Sequence, residues 1–314
     1  MKENEVLLIL KNLRVSIFTE GGVVKAVRGV ELEIKNRETL GLVGETGCGK
    51  SILGLSILRL LPENAKIEGS IIFKNKNLVK LSEEEMRKIR GREIAWVPQS
   101  FSTSLNPVLK VGFQIAEVAM ENFGWSKLRA WDLALELLRK FELLPAEKRA
   151  NEYPHQFSGG MRQRALVAMG IAGEPSLIIA DEPTKGVDAS RKQTVLEVFQ
   201  KINKATSLLL ITHDLLFAER LCDRIAVMYC GKIVEVGATR EFFEEPLHPY
   251  SKGLLNSLPT KGLKPITGDT PSMVNPPTGC TFHPRCEFAL NRCRWESPPL
   301  RAWKARVVGC WLYD

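Results

Sequence analysis

The run Gly44-Glu45-Thr46-Gly47-Cys48-Gly49-Lys50-Ser51 has the residue types and spacing to hold a polyphosphate. Glycines at 44, 47 and 49 let the backbone turn with no Cβ in the way, so that successive N–H groups of the loop, Glu45, Thr46 and Cys48 included, point inward at phosphate oxygens. Lys50 places a cation on the β- and γ-phosphates, Ser51 offers a hydroxyl to Mg²⁺, and the dipole of a following helix adds partial positive charge. Further on, Asp181 suits a Mg²⁺ ion that keeps most of its water shell. Its neighbour Glu182 suits orienting or deprotonating the water that attacks a γ-phosphate. Adjacent acids are commonly just solvated, but after such a loop they are the pair the chemistry requires.

Three weaker signals fall between and beyond these. Gln99 stands where a strand ends and could reach Mg²⁺ or water, although a surface glutamine is the default reading. Ser158-Gly159-Gly160 opens a helical stretch, with Ser158 as N-cap and paired glycines exposing N–H groups to an anion. A second phosphate-binding helix end implies either another ligand or the same ligand approached from a second molecule. His213 alone would be an ordinary loop histidine; at the carboxyl end of a parallel strand it becomes a candidate γ-phosphate sensor.

The elements that must carry these residues are legible in outline. Thr39 to Val43 is an apolar run that reads as a buried strand, and Ile52 to Leu61 is periodic in the manner of a helix, so the loop sits in strand–loop–helix order. Val6 to Val15 and Val30 to Ile34 read as strands of a hairpin with Thr19-Glu20-Gly21-Gly22 at its tip. Phe18, at the edge of that turn, is either a strand-end aromatic or a face on which adenine stacks. Gly69 to Phe73 and Ile94 to Val97 read as strands, and Ser82-Glu83-Glu84-Glu85 as a helix start. From Val111 to Leu144 the pattern is helical, with Ser126 as N-cap and Leu128, Trp131, Leu135 and Leu138 as the apolar stripe. A helix Ala165 to Ala172 follows the paired glycines. Leu177 to Ala180 and Ser207 to Ile211 are buried strands. Asp188 caps a helix whose stripe includes Val195, Val198, Phe199 and Ile202, and Arg224 to Tyr229 with Lys232 to Gly237 closes the sheet around Gly231. Pro259 to Thr278 has linker composition.

With 314 residues, 44% of them apolar and 25% charged, the chain is globular and long enough for one large core or two domains. No apolar stretch approaches the ~18–20 residues that span a bilayer, and the first residues do not read as a signal peptide, so a cytoplasmic protein is expected. The net charge of +8 is spread along the chain without a dense basic run, which favours a solvated surface over nucleic acid. Of seven cysteines, Cys280, Cys286, Cys293 and Cys310 crowd the tail. In a reducing compartment such a cluster suggests a metal before disulfides. Four thiolates bind zinc or an iron–sulfur cubane, and the lack of a Cys-x-x-Cys pair tilts the reading toward the cubane.

In this order the motifs resemble the ATP-binding subunits of ABC transporters. Gly44–Ser51 is similar to Walker A, Gln99 to the Q-loop, Ser158-Gly159-Gly160 to the signature, Asp181-Glu182 to Walker B, Asp188 to the D-loop and His213 to the switch histidine. Phe157 and Met161 in the signature, and Thr184-Lys185-Gly186-Val187 before Asp188, depart from the commonest wording. The tail, with Pro246-Leu247-His248-Pro249-Tyr250 and Gly279-Cys280-Thr281-Phe282-His283-Pro284-Arg285-Cys286, resembles the carboxyl extension of oligopeptide and dipeptide importer ATPases. The resemblance implies an α/β fold: a P-loop NTPase (RecA-like) core with an antiparallel β subdomain (1–98 and 174–240), a helical subdomain (99–173) and a small cysteine-containing extension (241–314).

It also implies an ATPase at the cytoplasmic face of the membrane, powering import through two separate permease subunits fed by an extracellular solute-binding protein. A second, related ATPase subunit closes its signature over ATP bound at this chain's Walker A. ATP and Mg²⁺ are the cofactors, with Ser51, Gln99 and Asp181 at the metal and Glu182, Gln99 and His213 at the reaction. Cys280, Cys286, Cys293 and Cys310 match the positions that hold a [4Fe-4S] cluster in several members. The competing reading is a soluble ABC-type ATPase acting on nucleic acid; such chains carry a long coiled-coil insertion or two ATPase units, and this one carries neither.

Overall fold

The computed structural model describes residues 5–99, 104–187, 189–202 and 206–314, with 189–191 described by backbone alone. Asp188 and the start of the loop after Gln99 lie outside the described residues. The chain forms two compact units: a continuous one, Leu81–Leu210, and a discontinuous one made of the residues before Leu81 together with Ile211–Asp314.

The discontinuous unit opens with β1 (Val6–Thr19) and β2 (Gly22–Lys35), an antiparallel hairpin in which Thr19 pairs Gly22. Both strands outrun the expected Val6–Val15 and Val30–Ile34, because each continues through half-buried residues whose backbone still pairs although their side chains do not alternate cleanly. A bulge at Asn12, in left-handed conformation, shifts the register between Leu10 and Leu13 and keeps both leucines buried. β3 (Thr39–Val43) is buried throughout and leads into the phosphate-type loop and α1 (Lys50–Ile57). The helix stops short of the expected Leu61, since Arg59 turns left-handed just before Pro62. β4 (Ala65–Phe73) and the short β5 (Lys76–Asn77) complete an antiparallel sheet of order β2-β1-β4-β5.

In the continuous unit, α2 (Glu83–Ile89) starts with a reciprocal capping box between Ser82 and Glu85. β6 (Ile94–Val97) precedes the helical stretch α3 (Val111–Phe123), α4 (Lys127–Lys140), α5 (Ala146–Asn151) and α6 (Gly159–Ile171). Ser126 caps α4 as expected and Leu138 of the expected stripe is buried, but the rest of the buried face is Ala130, Ala134 and Leu137; Trp131 and Leu135 are half-buried and Leu128 is 74% exposed. Small alanines allow close helix approach, so packing against neighbours selects the face that the leucine count alone misassigns. α6 begins at Gly159, six residues before the expected start, because Ser158 caps it from outside. β7 (Leu177–Asp181) runs parallel to β6, α7 (Ala189–Ile202) buries Val195, Val198, Phe199 and Ile202, and β8 (Ser207–Thr212) carries the chain onward.

Back in the discontinuous unit, α8 (Leu215–Leu221) is capped by Asp214. β9 (Arg224–Tyr229) runs parallel to β3, and β10 (Lys232–Ala238) pairs with β9 around Gly231. The tail follows as α9 (Thr239–Glu244), α10 (Pro249–Asn256) and a final hairpin, β11 (Arg301–Trp303) with β12 (Arg306–Val308). The hairpin has no counterpart in the sequence reading; three-residue strands are too short for alternation to register. β12 pairs with β10, so this part of the sheet runs β11-β12-β10-β9-β3. The 259–278 segment is no free linker: Lys25 N–H donates to the Met273 carbonyl at 2.9 Å.

Candidate functional site

The loop at the end of β3 is shaped by its neighbours. A Cβ on Gly44 would lie 2.2 Å from the Met228 carbonyl oxygen, and one on Gly49 would lie 2.1 Å from that of Ala26. Both residues also adopt positive φ, so glycine is demanded twice over. Gly47 meets nothing; only its positive φ requires it. Lys50 is buried, and its Nζ donates to the carbonyls of Gly44 (2.8 Å) and Glu45 (2.9 Å), with Cys48 Sγ at 3.8 Å. A cation is thus stored at the mouth of α1, and burial drives the Cys48 thiol upward in pKa, away from thiolate. Ser51 is the second residue of α1.

The same unit carries two other predicted positions. Phe18 is 51% exposed at the end of β1, held through its backbone by Asn64, whose side chain donates to the Phe18 carbonyl at 2.6 Å. His213 is exposed in the turn between β8 and α8, where the Asp214 N–H donates to Thr212 Oγ1.

The continuous unit carries the rest. Val97 is level with Ala180 across the parallel β6 and β7, so Pro98-Gln99 and Asp181-Glu182 leave the sheet at the same carboxyl edge. Asp181 and Glu182 are buried, and Glu182 takes a left-handed backbone, φ 48°. A glutamate held there is strained, and such strain concentrates where a side chain must be aimed. Gln163 of α6 donates to the Pro183 carbonyl, tying the helix that begins with the paired glycines to the strand end that carries the two acids.

Ser158 Oγ accepts from the Met161 N–H, and the hydroxyl is exposed. Neither Gly159 nor Gly160 has a positive φ, and a Cβ on either would meet no atom within 4 Å. Among the described residues nothing requires glycine there. Space is left for something from outside, beside a cavity of about 250 Å³ lined by Ser158, Gly160, Gln163, Arg164 and α7 residues.

In the tail, the four cysteines line one small apolar space with Phe282, Phe288, Trp311 and Leu312. Its volume, about 10 Å³, is that of a single water. Burial lifts the Cys280 thiol to about 11, and Cys286 and Cys310 also move upward, each further raised by charge on the others. Among the described residues no three His, Cys, Asp or Glu side chains stand close enough to hold one metal ion. By chemistry alone the donor set is of the kind a thiolate-bound cluster uses, four soft sulfur ligands lining one apolar space.

Two residues that the sequence reading left out converge on the loop. Tyr250 Oη accepts the Glu45 N–H at 2.8 Å, so that donor is committed to the tail, and Arg285 holds the Glu45 carboxylate. An acid inside an anion-binding loop was the signal that a cation had to answer it.

The family model for ABC transporters matches residues 27–185, and the model for the oligopeptide/dipeptide transporter C-terminal region matches residues 234–293. The dipeptide transport ATP-binding protein DppD of Bacillus subtilis (strain 168) is 44% identical over 321 residues, covering 99% of this chain and 96% of that protein. The oligopeptide transport ATP-binding protein OppD of the same organism is 43% identical over 317 residues, covering 98% and 88%. Among solved structures, the ATP-binding cassette MJ0796, dimeric in a post-hydrolysis state with ADP and Pi, is similar with a TM-score of 0.66 and 28% identity, covering 74% of this chain and 99% of that one.

Proposed function

Because the chain belongs to the ABC transporter family of ATPases and has its α/β fold, we propose that it is the ATP-hydrolysing subunit of an importer for dipeptides or oligopeptides. The observation that carries the substrate class is the oligopeptide/dipeptide carboxyl region at 234–293 on the same chain as the cassette. No helix among the described residues is long and apolar enough to cross a membrane; in this reading the pathway for the solute is supplied by permease chains, with this subunit peripheral to them, as membership of the importer family implies. We read 1–98 and 174–240 as the ATP-binding core with its β subdomain, 99–173 as the helical subdomain that meets the permease, and 241–314 as the importer extension.

In this reading Lys50 leaves the carbonyls of Gly44 and Glu45 for the β- and γ-phosphates, and the N–H groups of Gly47 to Ser51 close on them. Phe18 offers its exposed face to adenine. Ser51, Gln99 and Asp181 would hold Mg²⁺, which neutralises charge on the phosphates. Glu182 takes the proton of the attacking water, and His213 contacts the γ-phosphate and reports its departure. The exposed Ser158 and the open Gly159-Gly160 bind the ATP of a second, related subunit, which accounts for glycines that nothing among the described residues requires. Cys280, Cys286, Cys293 and Cys310 would hold a [4Fe-4S] cluster that ties the extension together.

The test is reconstitution with the permeases in proteoliposomes. Peptide-loaded binding protein should stimulate ATP hydrolysis and drive peptide uptake. Stimulation by a metal- or oligosaccharide-loaded receptor and not by peptide would reject the substrate class. For the tail, anaerobic purification should yield iron and acid-labile sulfide in equal amounts; stoichiometric zinc would reject the cluster.

A further inference from the structure

Arg285 lies far along the chain from the phosphate-binding loop, yet its guanidinium forks onto the loop's second residue. Nη1 donates to Glu45 Oε2 at 2.8 Å and Nη2 to Oε1 at 3.0 Å. The rest of the head is used as well: Nε donates to the Thr267 carbonyl at 3.0 Å, and Nη1 reaches Tyr229 Oη at 3.4 Å. The Arg285 side chain is 5% exposed and that of Glu45 26%, so this is a part-buried, bidentate pair with its cation enclosed. Thr270 Oγ1 approaches the same carboxylate at 3.4 Å, and Tyr250 takes the Glu45 N–H. One residue of the loop is therefore gripped from three points of the segment 250–285.

We propose that Arg285 is a positioning residue for nucleotide binding, cancelling the negative charge that Glu45 would otherwise present to a polyphosphate and holding the loop open in the shape that receives it. An unpaired carboxylate one residue from Gly44 repels every phosphate that enters and offers Lys50 a competing partner. With Arg285 in place the carboxylate is neutralised and points into the tail. The grip is also joined to the thiol cavity. Arg285 ends a tight turn in which the His283 N–H donates to the Cys280 carbonyl and the Cys286 N–H to the His283 carbonyl. A tail that loses this turn loses its hold on Glu45, so ATP affinity becomes dependent on the folded extension. This inference rests on the reading of Gly44–Ser51 as the ATP loop.

The experiment is a double-mutant cycle in the complete transporter, with KM for ATP and kcat from steady-state hydrolysis and affinity from equilibrium binding of a fluorescent ATP analogue. Arg285→Gln should raise KM about tenfold with kcat within about twofold. Glu45→Gln/Arg285→Gln should recover most of that loss, because no unpaired carboxylate remains. Arg285→Lys, which keeps charge but not the fork, should fall between. An unchanged KM in Arg285→Gln, a loss confined to kcat, or a double variant as weak as the single would overturn the proposal. Should Arg285→Gln fail to fold, a double variant that folds supports it, and failure of both rejects it. Lys50→Ala in parallel separates the two levels: if ATP still binds there, the loop reading fails, whereas loss there with Arg285→Gln unaffected rejects this inference alone.

Discussion

Lys50 Nζ donates to the carbonyl oxygen of Gly44, six residues earlier and at 2.8 Å, so the loop's own backbone holds its cation. The bond, and its twin to Glu45, serve both affinity and the resting shape of the loop. Lys50→Ala should therefore weaken ATP binding by a factor of roughly one hundred or more, and should also lower the stability of the nucleotide-free protein by about 1–3 kcal/mol. Equilibrium binding and thermal melts of the same sample check both; an unchanged melting temperature would mean that the bonds contribute nothing to the resting loop.

Glu182 is aimed from a left-handed backbone at the edge where Asp181 and Gln99 also emerge. Glu182→Gln keeps the size and removes the base. ATP binding should persist, hydrolysis should fall by roughly 10²–10⁴-fold, and ATP-bound dimers should accumulate in size-exclusion chromatography. Retention of turnover would remove Glu182 from the chemistry.

The paired glycines separate function from stability. A methyl group on Gly159 or Gly160 meets no atom of the described residues within 4 Å, and alanine suits a helix better than glycine. Gly160→Ala should leave the melting temperature unchanged or raise it slightly, by up to about 1 kcal/mol of stability. ATP-dependent pairing and hydrolysis should nevertheless be lost. A destabilised Gly160→Ala would mean that an internal contact required the glycine.

His248 predicts an acid limit for the tail. It caps α10 with Nδ1 accepting from the Tyr250 N–H, its own N–H donates to Glu235, and burial, with a smaller contribution from Lys252, lowers its pKa to about 3. Below pH 6.5 the unfolded chain takes up a proton that the folded chain refuses, so stability is full above 6.5 and falls as pH drops toward 3, by about 1.4 kcal/mol per unit. At pH 5 the loss is about 2 kcal/mol. His248→Asn keeps a capping acceptor without the titration and should flatten the melting temperature between pH 7 and 5. An equally steep fall in that variant would assign the acid sensitivity to other groups.

Much of the site is legible because its chemistry is local. A phosphate loop must have glycine, lysine and serine at fixed offsets where a strand gives way to a helix, and the acids at the end of β7 and the glycines at the start of α6 are read the same way. Less legible were choices made by packing. On α4 the alanines Ala130 and Ala134 share the inward face with Leu137 and Leu138, while Leu128 points out, since helices approach where side chains are small. β11 and β12 are too short to show a pattern and form only because the edge of β10 is there to pair with.

From the order of residues alone came the readings of Gly44–Ser51 as a polyphosphate loop, of Asp181 and Glu182 as acids suited to Mg²⁺ and water, and of Ser158-Gly159-Gly160 as a helix-end anion site, together with the crowding of four thiols, each set by residue type and short-range spacing. The folded chain alone decided that Arg285 and Tyr250 grip Glu45 and that one buried carboxylate, Glu235, receives the N–H groups of both Leu247 and His248. Those pairs span long sequence separations, and no local pattern encodes them; a buried charge finds its partner only when burial has removed water as the alternative.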